Sequence, residues 1–458
     1  MSASKAIKHH NTMPVAISDN GKYVAVAYDR HLELHKTSQG HNVLRSIPLH
    51  DAICGHLRFL QWSDDTTHTG SHRLLCGSTT HISVFDTENE NWVVEIETGD
   101  CFAHAEFTTK ADGILCLLEL GIQLMIFDLK TGEQRIVRAP KFSGPNGYDF
   151  RPRSGHLALI AKVDGQDALA IHNPETFECE TAIVLQITDV QGLKWSPNGA
   201  WIACWATALA GTAVAIYTAD GKYFRTYTGP ENEFGLGVKT IEWSPDSSLL
   251  GVGKQGGIVD LINTKTFTLA MVLGDPLSVP IDRKVYTEEN SAISKREYTV
   301  APESSVFPFT YNIPTDTRTI SAISFSPSGN LIATVDHALP NILWIWSIRE
   351  SPPRLAGSLV QKSNIKHLFW GAEHPEMLFA TNDDDVATVH GWSCGRLPAI
   401  VQIPRASGGR YSAARIKSAT QDGGELIWFG WHNGYVMGYL SMAGPSVEFR
   451  QVEGIDQA

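Results

Sequence analysis

The chain has 458 residues, 43% of them hydrophobic and 19% charged, which is enough apolar material for a large core and too little charge for a disordered polymer. Lys and Arg number 37 against 49 Asp and Glu, a net charge of −12, so the bulk field does not attract nucleic-acid phosphates or anionic lipid. No stretch approaches the roughly 20 apolar residues that cross a bilayer, and the start, MSASKAIKHHNT, lacks the apolar run of a signal peptide; a cytoplasmic or nuclear protein with neither nucleic acid nor membrane as partner is expected.

In chain order, one pattern recurs: apolar, any residue, aromatic, Ser, Pro or Asp, polar, Gly or Ser, two residues, apolar, Ala or Gly. It begins weakly at Ile17 in AISDNGKYVAVA and continues at Trp62 in LQWSDD, Phe107 in AEFTTKADGILC and Phe150 in YDFRPRSGHLAL. The clearest copies are centred on Trp195 in LKWSPNGAWIAC, Trp243 in IEWSPDSSLLGVG and Phe325 in ISFSPSGNLIAT. Trp370 in LFWGAEHPEMLFA and a frayed copy at Ile416 complete the series. Successive anchors are 45, 45, 43, 45, 48, 82, 45 and 46 residues apart. A period of about 40–45 residues holding four short strands is the signature of a WD-repeat β-propeller. The fold expected is therefore all-β: one ring of eight or nine four-stranded blades over residues 1–458, degenerate in its first and last units. A seven-bladed ring with a C-terminal appendage is the alternative. Pairing of the segment around Ala6 to Lys8 into the last blade would remove an open sheet edge.

Within each unit the turn chemistry has a physical cause. Pro presets φ near −65° at the turn entry and Gly accepts the positive φ that closes it, so SPNG and SPSG read as hairpin turns. The anchors Trp62, Phe107, Phe150, Trp195, Trp243, Phe325 and Trp370 alternate with polar neighbours, which places them between blades as structural core. Third strands end in ISVFD, LMIFD, VAIYT and LWIWS, and fourth strands such as VVEIET and TFTLAMV lie outside them. The Gly-His and Trp-Asp pairs of regular WD repeats are largely missing: Phe85-Asp86 and Phe127-Asp128 stand in for Trp-Asp.

The 82-residue step leaves an insert over residues 276–312, with Pro276, Pro280, Pro302 and Pro308 among mixed charges. Such a length points to a solvated loop or to a functional one. Val285, Tyr286, Val306, Phe307 and Phe309, interleaved with charge, are the candidate partner-docking residues. Other chemistry reads as structure. Gly251, Gly253 and Gly256 spell a dinucleotide-type G-x-G-x-x-G, but IVDLIN follows where a helix would be needed. Cys76, Cys116 and Cys204 occupy equivalent second-strand positions and read as small core residues. Asp383, Asp384 and Asp385 read as a solvated hairpin turn. The histidines show no ligand spacing, and no catalytic, cofactor or metal residues are expected.

The chain resembles the family of spindle-pole and centrosomal WD-repeat proteins. The likeness rests on FSPSGNLIATVDHALPNILWIWSI from Phe325 to Ile348, on GLKWSPNGAWIACWAT, on the run YTADGKYFRTYTGPENEFGLGVKTIEWSPDSSLLGVGKQGG, and on the insert's IDRKVYTEEN and REYTVAP. It suggests a fungal member. The resemblance implies a non-enzymatic scaffold without cofactors that joins a coiled-coil microtubule-anchoring protein and a minus-end-directed kinesin. Microtubule minus ends would then be held, indirectly, at the spindle pole body or centrosome. The runner-up reading is a large-propeller translation-initiation or RNA-associated factor, which calls for a basic face that the sequence does not display.

Overall fold

A computed structural model describes residues 15–18, 21–36, 43–63, 71–119, 123–207, 211–229, 237–275, 285–290, 296–301, 317–371, 374–384, 386–404, 413–418, 424–431, 434–443 and 446–456. Among the described residues nine sheets follow one another along the chain, each built on four antiparallel strands. Blade 1 is built from Val15–Ile17, Tyr23–Ala27, His31–Lys36 and Val43–Pro48. Blades 2 to 9 occupy residues 59–97, 102–138, 148–184, 190–227, 238–273, 320–360, 365–402 and 413–456. Each pairs its strands in sequence order, the local connectivity that short turns impose.

The ring closes through side chains. Val15, Ile17, Val24 and Val26 of blade 1 pack with Leu426, Trp428, Tyr435 and Met437 of blade 9. A mixed cluster of this kind stands at every junction of neighbouring blades. The blade count is thus nine, and the seven-bladed alternative with an appendage is ruled out: residues 413–456 form a complete four-stranded sheet that packs on both neighbours. The Ala6–Lys8 segment lies outside the described residues.

The repeat's anchors face the preceding blade. Trp62 packs with Leu32 and Leu34 of blade 1, Phe107 with Leu75 and Ile82 of blade 2, and Phe150 with Leu115 and Ile126 of blade 3. Trp195, Trp243 and Phe325 continue the rule. Trp370 is half-buried against the cluster between blades 7 and 8.

In six blades a hydroxyl residue after the anchor closes the turn, whereas Arg151 and Gly371 hold that place in blades 4 and 8. Ser18, Thr108, Ser196, Ser244 and Ser326 each accept, on the side-chain oxygen, the backbone N–H that opens the second strand, at 2.9–3.1 Å. Ser63 makes the same bond to Arg73 across a longer turn. Gly199 and Gly329 supply φ of +69° and +72° at the turn's end, and Ser247 takes +61° in the copy that lacks glycine. Gly251 and Gly253 lie in a strand; a Cβ on Gly253 would meet Ile320 at 3.0 Å, so this pair lets blade 7 approach blade 6. Cys76, Cys116 and Cys204 are buried between blades, where desolvation pushes their thiols far above the ordinary range.

Candidate partner-docking surface

Part of the insert is sheet. Val285–Asn290 and Arg296–Val300 form an antiparallel hairpin, and Val285–Thr287 pair parallel with Ser358–Val360, the outer strand of blade 7. Blade 7 thereby becomes six-stranded. Alternation explains the fit: Val285 points into the cluster between blades 6 and 7, and Tyr286 into that between blades 7 and 8. Their exposures are 6% and 3%. The expectation that these two side chains belong to a loop outside the repeat is therefore corrected: burying them against two blade junctions is what seats the hairpin. Val306, Phe307 and Phe309, with Pro276, Pro280, Pro302 and Pro308, lie outside the described residues.

A polar network fixes the hairpin to blade 8. The buried Glu288 carboxylate accepts from Arg296 Nε and from the Lys362 backbone N–H at 2.9 Å. Arg296 reaches across to Asp384 at 2.6 Å. Burial opposes the Arg296 charge, but the Glu288 and Asp384 carboxylates outweigh it and hold the guanidinium above its ordinary value. Behind the ion pairs, Tyr298 Oη and His390 Nδ1 are 2.9 Å apart, and Asn382 Nδ2 donates to His390 Nε2 at 2.9 Å. His390 consequently carries its single proton on Nδ1 and donates to Tyr298. Desolvation, aided by the Arg296 charge, pushes His390 down to about 3, and burial raises Tyr298 well above the phenol's usual value. Both groups are neutral at physiological pH and act as packing with hydrogen bonds.

The network revises the Asp383–Asp385 reading. Asp383 is exposed in the turn, whereas Asp384 is the hairpin's ion-pair partner; Asp385 lies outside the described residues. Sequence reasoning missed Glu288, Arg296, Tyr298 and His390. The alternation in KVYTEEN and REYTV was the available signal for two strands, but nothing local names blade 8 as the surface they meet. The hairpin leaves Glu289 exposed opposite an exposed Glu297 in register, and Val300, paired with Tyr286 at the hairpin's other end, is 55% exposed. Like charges placed opposite each other repel, so this pair does not itself hold the hairpin together.

No family model matches the chain. It is 23% identical over 415 residues to WD repeat-containing protein WRAP73 of Mus musculus, a match covering 84% of this chain and 86% of the mouse protein. It is 21% identical over 356 residues to an uncharacterized WD repeat-containing protein of Schizosaccharomyces pombe, covering 74% of this chain and 72% of that one. These likenesses support a WD-repeat propeller. Among solved structures, a crystal structure of a eukaryotic initiation factor superposes with a TM-score of 0.55 at 12% identity, over 89% of this chain and 93% of that chain. At that identity the likeness concerns the fold alone.

Proposed function

We propose that the protein is a non-enzymatic propeller scaffold of the spindle pole body or centrosome, within the cytoplasmic cytoskeleton. It joins a coiled-coil microtubule-anchoring protein to a minus-end-directed kinesin, and microtubule minus ends are tethered through these partners. The observation that carries the reading is the near full-length likeness to WD-repeat proteins, taken with the resemblance of residues 325–348 and of the hairpin's own IDRKVYTEEN and REYTVAP to the spindle-pole family. A ring with many connecting loops suits simultaneous contact with more than one protein. The net charge of −12 favours tethering through a partner, since tubulin's exposed tails are also acidic.

Affinity capture of the tagged protein from mitotic cells tests the proposal. Recovery of a coiled-coil pole protein and a minus-end-directed kinesin in comparable amounts is the expected result. Recovery of ribosomal or initiation-factor subunits in their place would move the assignment to the translation reading.

A further inference from the structure

Sequence spacing leaves the histidines isolated, yet the fold brings two of them face to face at the junction of blades 1 and 2. His50 lies in the connection that follows Val43–Pro48, and His81 opens the third strand of blade 2, His81–Asp86. Their ring centroids are 3.8 Å apart with planes 4° from parallel. His81 is 3% exposed, and the neighbouring strand Val93–Glu97 presents a carboxylate to each of its nitrogens. Nδ1 is 2.8 Å from Glu97 Oε1, and Nε2 is 2.5 Å from Glu95 Oε2. One ligand atom from each of His50, His81 and Glu97 falls within a common 4.8 Å.

A neutral imidazole has one N–H and one lone pair, so it cannot donate to two carboxylates at once. Either a second proton or a cation fills the remaining place. We propose that His81 Nδ1, Glu97 and His50 bind a divalent transition-metal ion, zinc being the ion best matched to two imidazoles and a carboxylate with a position left for water. Glu95 is the orienting group: it takes the His81 Nε2–H and also accepts from Ser83 Oγ at 2.6 Å. That Ser83–Glu95–His81 chain fixes the ring and leaves the Nδ1 lone pair for the ion, as outer-shell carboxylates do for metal-bound histidines.

The third ligand has to move. Stacked rings aim their lone pairs side by side, so His50 turns out of the stack to reach the ion. It is exposed and gives up only a 3.2 Å bond from the Ala52 N–H to Nδ1. Because His50 belongs to the connection between blades and the other ligands to blade 2, the bound ion staples the degenerate first blade to the rest of the ring.

The test uses the full-length protein, stripped with chelator and titrated with Zn²⁺ or with Co²⁺ as a spectroscopic probe. The proposal expects one equivalent bound near neutral pH, visible Co²⁺ bands of a low-coordinate site, and a higher unfolding temperature with Zn²⁺. His50→Ala and Glu97→Gln, both at exposed side chains, should remove that equivalent and the thermal shift while circular dichroism stays unchanged. Glu95→Gln should weaken binding roughly 10–100-fold, the usual loss for an outer-shell partner. No binding by the unaltered chain, or the same affinity in the His50→Ala and Glu97→Gln variants, would overturn the site.

Discussion

The indole Nε1–H of Trp62 donates to the carbonyl oxygen of Ala16 at 2.9 Å across the junction of blades 1 and 2. Ala16 immediately precedes the anchor of blade 1, and the relation repeats around the ring. Trp243 Nε1 donates to the Lys194 carbonyl at 3.4 Å, and Trp370 Nε1 to Ser324 Oγ at 3.0 Å, each acceptor again standing one residue before the previous anchor. Trp195 departs from the rule: its Nε1 has no hydrogen-bond acceptor among the described residues, while its backbone N–H donates to Asp149 Oδ2 at 2.9 Å.

This asymmetry predicts a difference between tryptophans. Trp62→Ala, Trp195→Ala and Trp243→Ala should each cost about 3–5 kcal/mol, as truncation of large buried aromatics does. Trp62→Phe should cost about 1 kcal/mol more than Trp195→Phe, because only the first gives up a hydrogen bond. Denaturant unfolding of the five variants checks both statements.

The side-chain clasp at the turn between the first and second strands of a blade is expected to contribute separately. Ser326 is fully buried and accepts the Leu331 N–H at 3.0 Å, so Ser326→Ala leaves a buried donor without its partner. A loss of about 1–2 kcal/mol is predicted, measurable by the same unfolding assay.

Stability should fall in acid through His390. Its folded value of about 3 lies below the ordinary 6.5, so the unfolded chain takes up a proton that the folded chain refuses. The stabilising contribution is present above pH 6.5 and is lost as the pH falls toward 3, at no more than about 1.4 kcal/mol per pH unit. His72 and His172, both lowered chiefly by burial, act in the same direction. His390→Gln should flatten the slope of stability against pH between 6.5 and 4 by up to one proton, as read from urea unfolding at several pH values.

The insert divides into two experiments. Replacing residues 285–301 with a Gly/Ser linker strips Tyr286 and Tyr298 from the junction of blades 7 and 8 and should destabilise the ring by about 3–5 kcal/mol. The triple change Val306→Ser, Phe307→Ser and Phe309→Ser should leave the unfolding midpoint in place and reduce capture of the coiled-coil partner. Unchanged capture by the triple variant would assign docking to another surface.

Blade placement was legible because the units carry their own local chemistry: an anchor in each and, in six of the nine, a hydroxyl residue after it that clasps the next strand. Even Ser63, ten residues from the N–H it accepts, keeps the clasp. The hairpin's destination was not legible, since parallel pairing of Val285–Thr287 with Ser358–Val360 joins strands more than 70 residues apart and no turn residue encodes it. The same holds for His50, in the connection after blade 1, and His81, in the third strand of blade 2, which are 31 residues apart in sequence and meet only in the folded ring. Tyr286 stands among the docking candidates because an apolar residue among charges looks alike in a docking loop and in an alternating strand.

Co-sedimentation with microtubules at low ionic strength, where electrostatic attraction is least screened, tests the tethering account most directly. The purified protein alone should remain in the supernatant, and adding its coiled-coil partner should carry it into the pellet. Tight sedimentation of the lone chain, or failure of the partner to move it, would contradict the account.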